Sequence, residues 1–234
     1  MKSAVRAEGI EYAYPDGTRA LDGVSFDICG GERVAFVGAN GAGKSTLLLT
    51  LNGILRCDGL VSIHGVTVQE KNMKDIRRMV GIVFENPDDQ LFCPTVLDDV
   101  MFGPLNMGLS RKDSAAKAQK ALADVGLCGL GGKSPFHLSH GQKKRVAMAT
   151  TLSMDCQVLA LDEPTSGLDP KGGKEMIKLM GSLGGTLIVA THDFGLVRDL
   201  CSRVIILSNG KKAAEGTPSA MLSDSALLEE HGLA

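Results

Sequence analysis

The sequence predicts an α/β fold: a mainly parallel sheet, an N-terminal antiparallel β subdomain and an inserted α-helical subdomain. Three observations carry this. Short apolar runs, Val34-Ala35-Phe36-Val37, Val158-Leu159-Ala160-Leu161 and Leu187-Ile188-Val189-Ala190, alternate with helical patterns, as strands buried on both faces do. Residues 12–28 and 61–68 carry hairpin patterning instead. From about residue 86 to residue 153 the pattern turns helical.

In chain order, residues 12–14 and 20–28 read as antiparallel strands around a Pro15-Asp16-Gly17 turn. Arg33-Val34-Ala35-Phe36-Val37 reads as a buried strand entering a glycine loop, with a helix over 44–51. Residues 61–63 and 66–68 flank His64-Gly65 as a second hairpin. Ser110 is placed to cap a helix continuing through 115–125, before Gly126, Gly129, Gly131 and Gly132 interrupt the chain. A further helix is expected over 143–154, and a short helical tail over 223–230. These readings divide the chain into an antiparallel β subdomain (1–31 and 56–70), an α/β core (32–55, 71–85 and 154–234) and a helical subdomain (86–153). No internal repeat, low-complexity tail or appended regulatory domain is read.

With 234 residues, 44% of them apolar, the chain can bury a sizeable core. A formal net charge of −2 gives no bulk electrostatic reason to bind nucleic acid or an anionic membrane. No stretch reaches the roughly 18 uninterrupted apolar residues of a membrane span, and the first residues are too polar for a secretory signal. A cytosolic protein is expected, with any membrane role supplied through a partner. The six cysteines, Cys29, Cys57, Cys93, Cys128, Cys156 and Cys201, show no CxxC pair and no metal-ligand spacing, which suits reduced thiols acting as small apolar groups.

Gly38-Ala39-Asn40-Gly41-Ala42-Gly43-Lys44-Ser45 fits GxxxxGK[ST] between a strand and a helix. Glycines let successive backbone N–H groups turn toward one anion, and the helix N-terminus adds its positive dipole end. Lys44 is expected to reach the β- and γ-phosphates and Ser45 to ligate Mg²⁺. Gly38, Asn40, Gly41, Gly43, Lys44, Ser45 and Thr46 make up the candidate cradle. The pattern by itself says only that a nucleoside triphosphate binds.

Asp162 and Glu163 close an apolar strand, so both carboxylates emerge at its carboxyl end, where such sheets bind ligands. Asp162 is placed to hold Mg²⁺ through water. Glu163 is placed to act as general base on, or to polarise, the attacking water.

Leu138-Ser139-His140-Gly141-Gln142 precedes that acidic pair. It resembles the signature sequence of the ATP-binding cassette family, and the order of motifs matches from Tyr14 to the last strands. The resemblance implies a P-loop NTPase (RecA-like) core that binds ATP and Mg²⁺ and hydrolyses ATP. It implies that Tyr14 stacks on adenine, and that Asp169 in Ser166-Gly167-Leu168-Asp169 acts across a dimer. It implies that His192 in Thr191-His192-Asp193 contacts the γ-phosphate and orients water. Ser139, Gly141 and Gln142, at a helix start from residue 142 onward, would close on ATP held by a second cassette, so that binding joins the subunits and hydrolysis parts them.

Two positions depart from the family pattern. His140 stands where a second glycine is usual, and activity is expected to survive. Glu85 stands where a glutamine usually touches Mg²⁺. A carboxylate offers oxygens but no N–H donor and adds negative charge beside the metal, which bears on the tuning of hydrolysis and coupling.

The run Phe84-Glu85-Asn86-Pro87-Asp88-Asp89-Gln90-Leu91-Phe92, then Thr95-Val96-Leu97-Asp98-Asp99-Val100 and Phe102-Gly103-Pro104-Leu105-Asn106, resembles the ATPases of energy-coupling-factor importers for cobalt, nickel and vitamins. Lys143-Lys144-Arg145-Val146-Ala147 continues the likeness. The resemblance implies an integral membrane partner contacting residues 85–106, a second cassette as homodimer or related heterodimer, and a peripheral position on the cytoplasmic face of the membrane. Nucleic acid is not an expected partner. The alternatives are a soluble cassette ATPase acting on nucleic acid or ribosomes, and a hydrolysis-poor subunit, for which Glu85 is the only support.

Overall fold

In the computed structural model, which describes residues 2–233, the chain opens with two long antiparallel strands, β1 (Ser3–Ala13) and β2 (Arg19–Cys29). They are followed by β3 (Arg33–Val37), α1 (Lys44–Leu51), β4 (Asp58–Ile63), β5 (Val66–Thr67), α2 (Met73–Met79) and β6 (Val80–Val83). A helical stretch comes next: α3 (Val96–Asn106), α4 (Arg111–Asp124) and α5 (His140–Leu152). The chain then alternates through β7 (Val158–Asp162), α6 (Pro170–Ser182), β8 (Thr186–Thr191), α7 (Phe194–Leu200), β9 (Arg203–Ser208), β10 (Lys211–Gly216), α8 (Pro218–Met221) and α9 (Ser225–Glu230).

The strands form two sheets, a four-stranded one in the order β2-β1-β4-β5 and a six-stranded one in the order β10-β9-β3-β8-β7-β6. In the larger sheet β3 runs parallel to both β8 and β9, and β7 runs parallel to β8, while β10 is an antiparallel edge. Every residue of β7 and β8 is buried. That explains why both read as unbroken apolar runs rather than alternating ones.

The chain forms two compact units. The first takes Met1–Ile82, Gln157–Glu163 and Leu183–Ala234; the second takes Val83–Cys156 and Pro164–Ser182. Within the first unit the antiparallel sheet is joined to the larger one: Asp22 N–H donates to Gly210 O at 2.9 Å, and Phe26 packs edge-on to Phe36 with ring centroids 5.0 Å apart. Arg203 adds ion pairs to Glu32 and Glu215, both at 3.0 Å, and donates to Asp27 O at 2.6 Å. The antiparallel strands and the parallel sheet therefore share one unit.

The second unit includes residues 164–182, which the sequence reading ran on with the core. The reason is long-range packing: Arg145 of α5 pairs with Glu175 of α6 at 2.6 Å. Helix α5 also starts earlier than its apolar pattern indicates, at His140, because Ser139 Oγ accepts from Gln142 N–H and Gln142 Oε1 accepts from Ser139 N–H. That reciprocal capping box supports a first turn containing His140 and Gly141. Among the described residues no helix is long and apolar enough to cross a membrane.

Candidate functional site

The chemistry gathers where β3, β7 and β8 end. Residues 38–43 lead from β3 into α1, and two glycines there are enforced by close approach. A β-carbon on Gly38 would lie 2.4 Å from Leu207 O, and one on Gly43, at φ +100°, would lie 2.4 Å from Ala20 O. Space over Gly41 is open: a methyl group there would meet nothing within 4 Å. Gly43 gives α1 no side-chain cap. In contrast, α3, α4, α5 and α7 are each capped by a Thr, Ser or Asp side chain. The first N–H groups of α1 are thus left to an anion.

Lys44 is buried, and its ammonium donates to Gly38 O at 2.7 Å and Ala39 O at 3.1 Å, which holds the charge inside the curve of the loop. Ser45 is exposed beside it, whereas Thr46 is buried and its Oγ1 lies 2.9 Å from the Tyr14 hydroxyl. Tyr14 is 37% exposed and rests edge-on against Tyr12, ring centroids 5.1 Å apart. A part-exposed aromatic ring is therefore tethered one residue beyond Ser45.

Asp162 and Glu163 are both buried at the end of β7. Glu163 has φ +41°, rare for a residue with a side chain, while its N–H still donates to Ala190 O at 2.9 Å. The sheet bond holds a strained conformation that swings the carboxylate off the strand axis. Thr191 Oγ1 donates to Glu163 Oε2 at 3.0 Å, and His192 Nδ1 lies 2.8 Å from Glu163 Oε1. An ionised carboxylate only accepts, so opposite it His192 donates from Nδ1 and Nε2 is the acceptor nitrogen of the ring. The His192 side chain is 63% exposed.

These residues fit a nucleoside triphosphate with a hard cation. Ser45 and Asp162 offer oxygen donors suited to Mg²⁺. Among the described residues no cluster of three or more His, Cys, Asp or Glu could hold a metal ion, so nucleotide oxygens and water would complete the coordination.

The second unit carries the remaining expected residues. Ser139 N-caps α5, Gly141 lies in its first turn, and Gln142 spends its side-chain oxygen on the cap. Asp169 Oδ1 accepts from Gly172 N–H at 2.7 Å at the start of α6. Glu85 is exposed, just beyond β6.

Two residues were not singled out in the sequence. Thr191, whose hydroxyl grips Glu163, was read only as context for His192. Gln90 binds three groups: its Oε1 accepts from Phe84 N–H at 3.1 Å, and its Nε2 donates to Ala147 O at 3.0 Å and Thr150 Oγ1 at 2.8 Å. Nothing in the local pattern separates it from a surface glutamine, since two of its partners lie far along the chain.

The chain is similar to known proteins along most of its length. Residues 21–166 match the family model described as ABC transporter. The chain is 47% identical over 226 residues to the energy-coupling factor transporter ATP-binding protein EcfA of Methanocaldococcus jannaschii, covering 94% of this chain and 81% of that protein. Among solved structures it is similar to cbiO1 from Clostridium perfringens, described as part of the ABC transporter complex cbiONQ. The TM-score there is 0.85 at 38% identity, covering 100% of this chain and 96% of that one. It is also similar to the ATP-binding cassette MJ0796, solved as a dimer in a post-hydrolysis state with ADP and Pi. That TM-score is 0.83 at 28% identity, covering 92% of this chain and 98% of that one.

Proposed function

Because the chain belongs to the ABC transporter family and is an ATP-hydrolysing subunit of it, we propose that it drives an energy-coupling-factor-type importer from the cytoplasmic face of the membrane. Its cargo in this reading is a transition metal ion such as cobalt, or a vitamin. The work comes from ATP-driven pairing with a second cassette, a copy or a relative, and passes to an integral membrane subunit.

The chemistry follows from the side chains. The α1 N-terminus and Lys44 hold the phosphates, and Tyr14 offers its face to the base. Ser45 and Asp162 supply oxygens to Mg²⁺, which when bound would neutralise charge on the phosphates. Glu163, oriented by Thr191 and His192, takes the proton of the attacking water. Ser139 and Asp169 would act on the nucleotide and turn of the paired subunit. Glu85 would approach the metal as an oxygen ligand. ATP shifts the population toward the paired state only to the extent that it binds that state more tightly.

The observation that carries the transporter reading is an exposed aromatic pair. Phe92 and Phe102 are 62% and 48% exposed, their rings meeting edge-on at 5.0 Å, with Leu105 exposed one turn further along α3. Three large apolar side chains in the open, in residues 85–106, suit an apolar helix of a membrane subunit. The similarity to EcfA supports the importer type.

Purification of the tagged native protein from its own cells tests the proposal. Recovery with a small integral membrane protein is expected. Recovery with ribosomes or DNA instead would overturn the transporter assignment.

A further inference from the structure

His140 and Gly167 lie far apart in the chain, yet their positions interlock. His140 Nε2 lies 2.9 Å, and Cδ2 3.2 Å, from the point a β-carbon on Gly167 would occupy. The imidazole thus covers the face of Gly167, itself at φ +72° in the turn before α6. The next residue repeats the contact on a smaller scale: a β-carbon on Gly141 would lie 3.4 Å from Leu168 Cδ2. Further along, Arg145 pairs with Glu175 at 2.6 Å. The first turns of α5 therefore run close along residues 167–175, with the His140 ring over Gly167 and the Arg145–Glu175 pair as the contacts that join them.

We propose that His140 is a positioning residue for ATP hydrolysis, its ring locking the start of α5 to the turn that carries Asp169. Ser139 immediately precedes the ring, and Asp169 follows Gly167 by two residues, so both are carried by the locked element. Asp169 is fixed in turn by capping α6 through Gly172 N–H. A glycine at position 140 would leave Gly167 uncovered and loosen the two segments at the end nearest Ser139, while the Arg145–Glu175 pair still joins them further along. The histidine fills that space and makes them a single rigid edge. This rests on the paired-cassette reading, in which Ser139 and Asp169 meet the second subunit together. His140 touches no substrate atom; it acts through the residues it holds.

Steady-state ATP hydrolysis by the full chain tests this with His140→Gly, Gly167→Ala and the double variant. His140→Gly is expected to lower kcat about tenfold and leave KM for ATP within about twofold, because it misaligns the catalytic surface and spares the nucleotide cradle. Gly167→Ala suffers backbone strain in both backgrounds, but its methyl meets the ring only when His140 is present. Its fold-loss is therefore expected to be smaller in the His140→Gly background. Wild-type kcat in His140→Gly, or an equal loss from Gly167→Ala in both backgrounds, would overturn the assignment. Pairing on Mg-ATP is read separately in the Glu163→Gln chain. Absence of pairing there removes the two-subunit reading and, with it, the role of His140 in closure. Intact pairing with unaltered His140→Gly kinetics sinks the role of His140 alone.

Discussion

Glu163 and His192 face each other across the ends of two parallel strands, with Oε1 and Nδ1 2.8 Å apart. Thr191 holds the other carboxylate oxygen. The carboxylate is thus gripped at both oxygens by consecutive residues of one strand end.

Glu163→Gln is expected to lower ATP turnover by about 10²–10⁴-fold, the usual worth of a positioned base, while the chain still binds nucleotide. Thr191→Val keeps shape and removes one bond to a buried carboxylate, together with the bond its hydroxyl accepts from Asp193 N–H. A bond to a charged group is worth about 1.5–3 kcal/mol, so turnover should fall about tenfold or more. Phosphate release measured beside nucleotide binding checks both. Full turnover in Glu163→Gln would remove it from the chemistry.

Lys44→Ala should weaken ATP binding by about 10–100-fold, since it removes charge-assisted bonds to the phosphates. Titration with a fluorescent ATP analogue measures this. An unchanged affinity would mean that the loop does not hold phosphate.

At Tyr14 the ring and the hydroxyl separate cleanly. Tyr14→Ala should lose about 1–3 kcal/mol of base stacking, whereas Tyr14→Phe should lose only the Thr46 tether and bind ATP within about threefold of wild type. Equal losses in the two variants would assign the work to the hydroxyl.

Alanine at both Phe92 and Phe102 should abolish recovery with the membrane subunit and leave the circular dichroism spectrum of the chain intact, since both rings are exposed. Undiminished recovery would move the docking surface elsewhere.

Burial pushes the thiols of Cys156 and Cys201 up to about 12, and that of Cys93, aided by its bond to Asp99, to about 11. Each folded thiol keeps its proton where the unfolded chain has lost it. The stabilisation is complete below the ordinary thiol value of 9.0 and is lost as pH climbs toward 11 and 12. Iodoacetamide at pH 8 should therefore label exposed Cys128 first and reach Cys156 and Cys201 only on unfolding. Mass spectrometry of the labelled chain decides it, and early labelling of Cys201 would contradict the burial.

Much of this fold was legible in the sequence because β3, β7 and β8 are buried on both faces, and the middle of such a strand is written almost wholly in apolar residues, with polar ones such as Asp162, Thr186 and Thr191 at the ends. The phosphate loop was legible for a similar reason, since Gly38 and Gly43 stand where backbone closes in. The start of α5 was harder. His140 and Gly141 are poor helix formers, and only the Ser139–Gln142 capping pattern marks the first turn. Grouping of residues 164–182 with the helical unit depends on Arg145 reaching Glu175, a meeting that neither segment announces locally. The positive φ of Glu163 was equally hidden, as nothing in Asp-Glu-Pro requires it. Nor did the sequence show that the Gln142 oxygen is engaged by the cap.

The bare end of α1 has a consequence for handling the protein. No side chain caps it and its first turn holds no acidic residue, so small oxyanions in the buffer compete for the same N–H groups. Sulfate or inorganic phosphate should therefore raise the melting temperature and, at equal concentration, blunt the apparent affinity for nucleotide. Thermal shifts recorded in such buffers would understate how much ATP itself stabilises the chain.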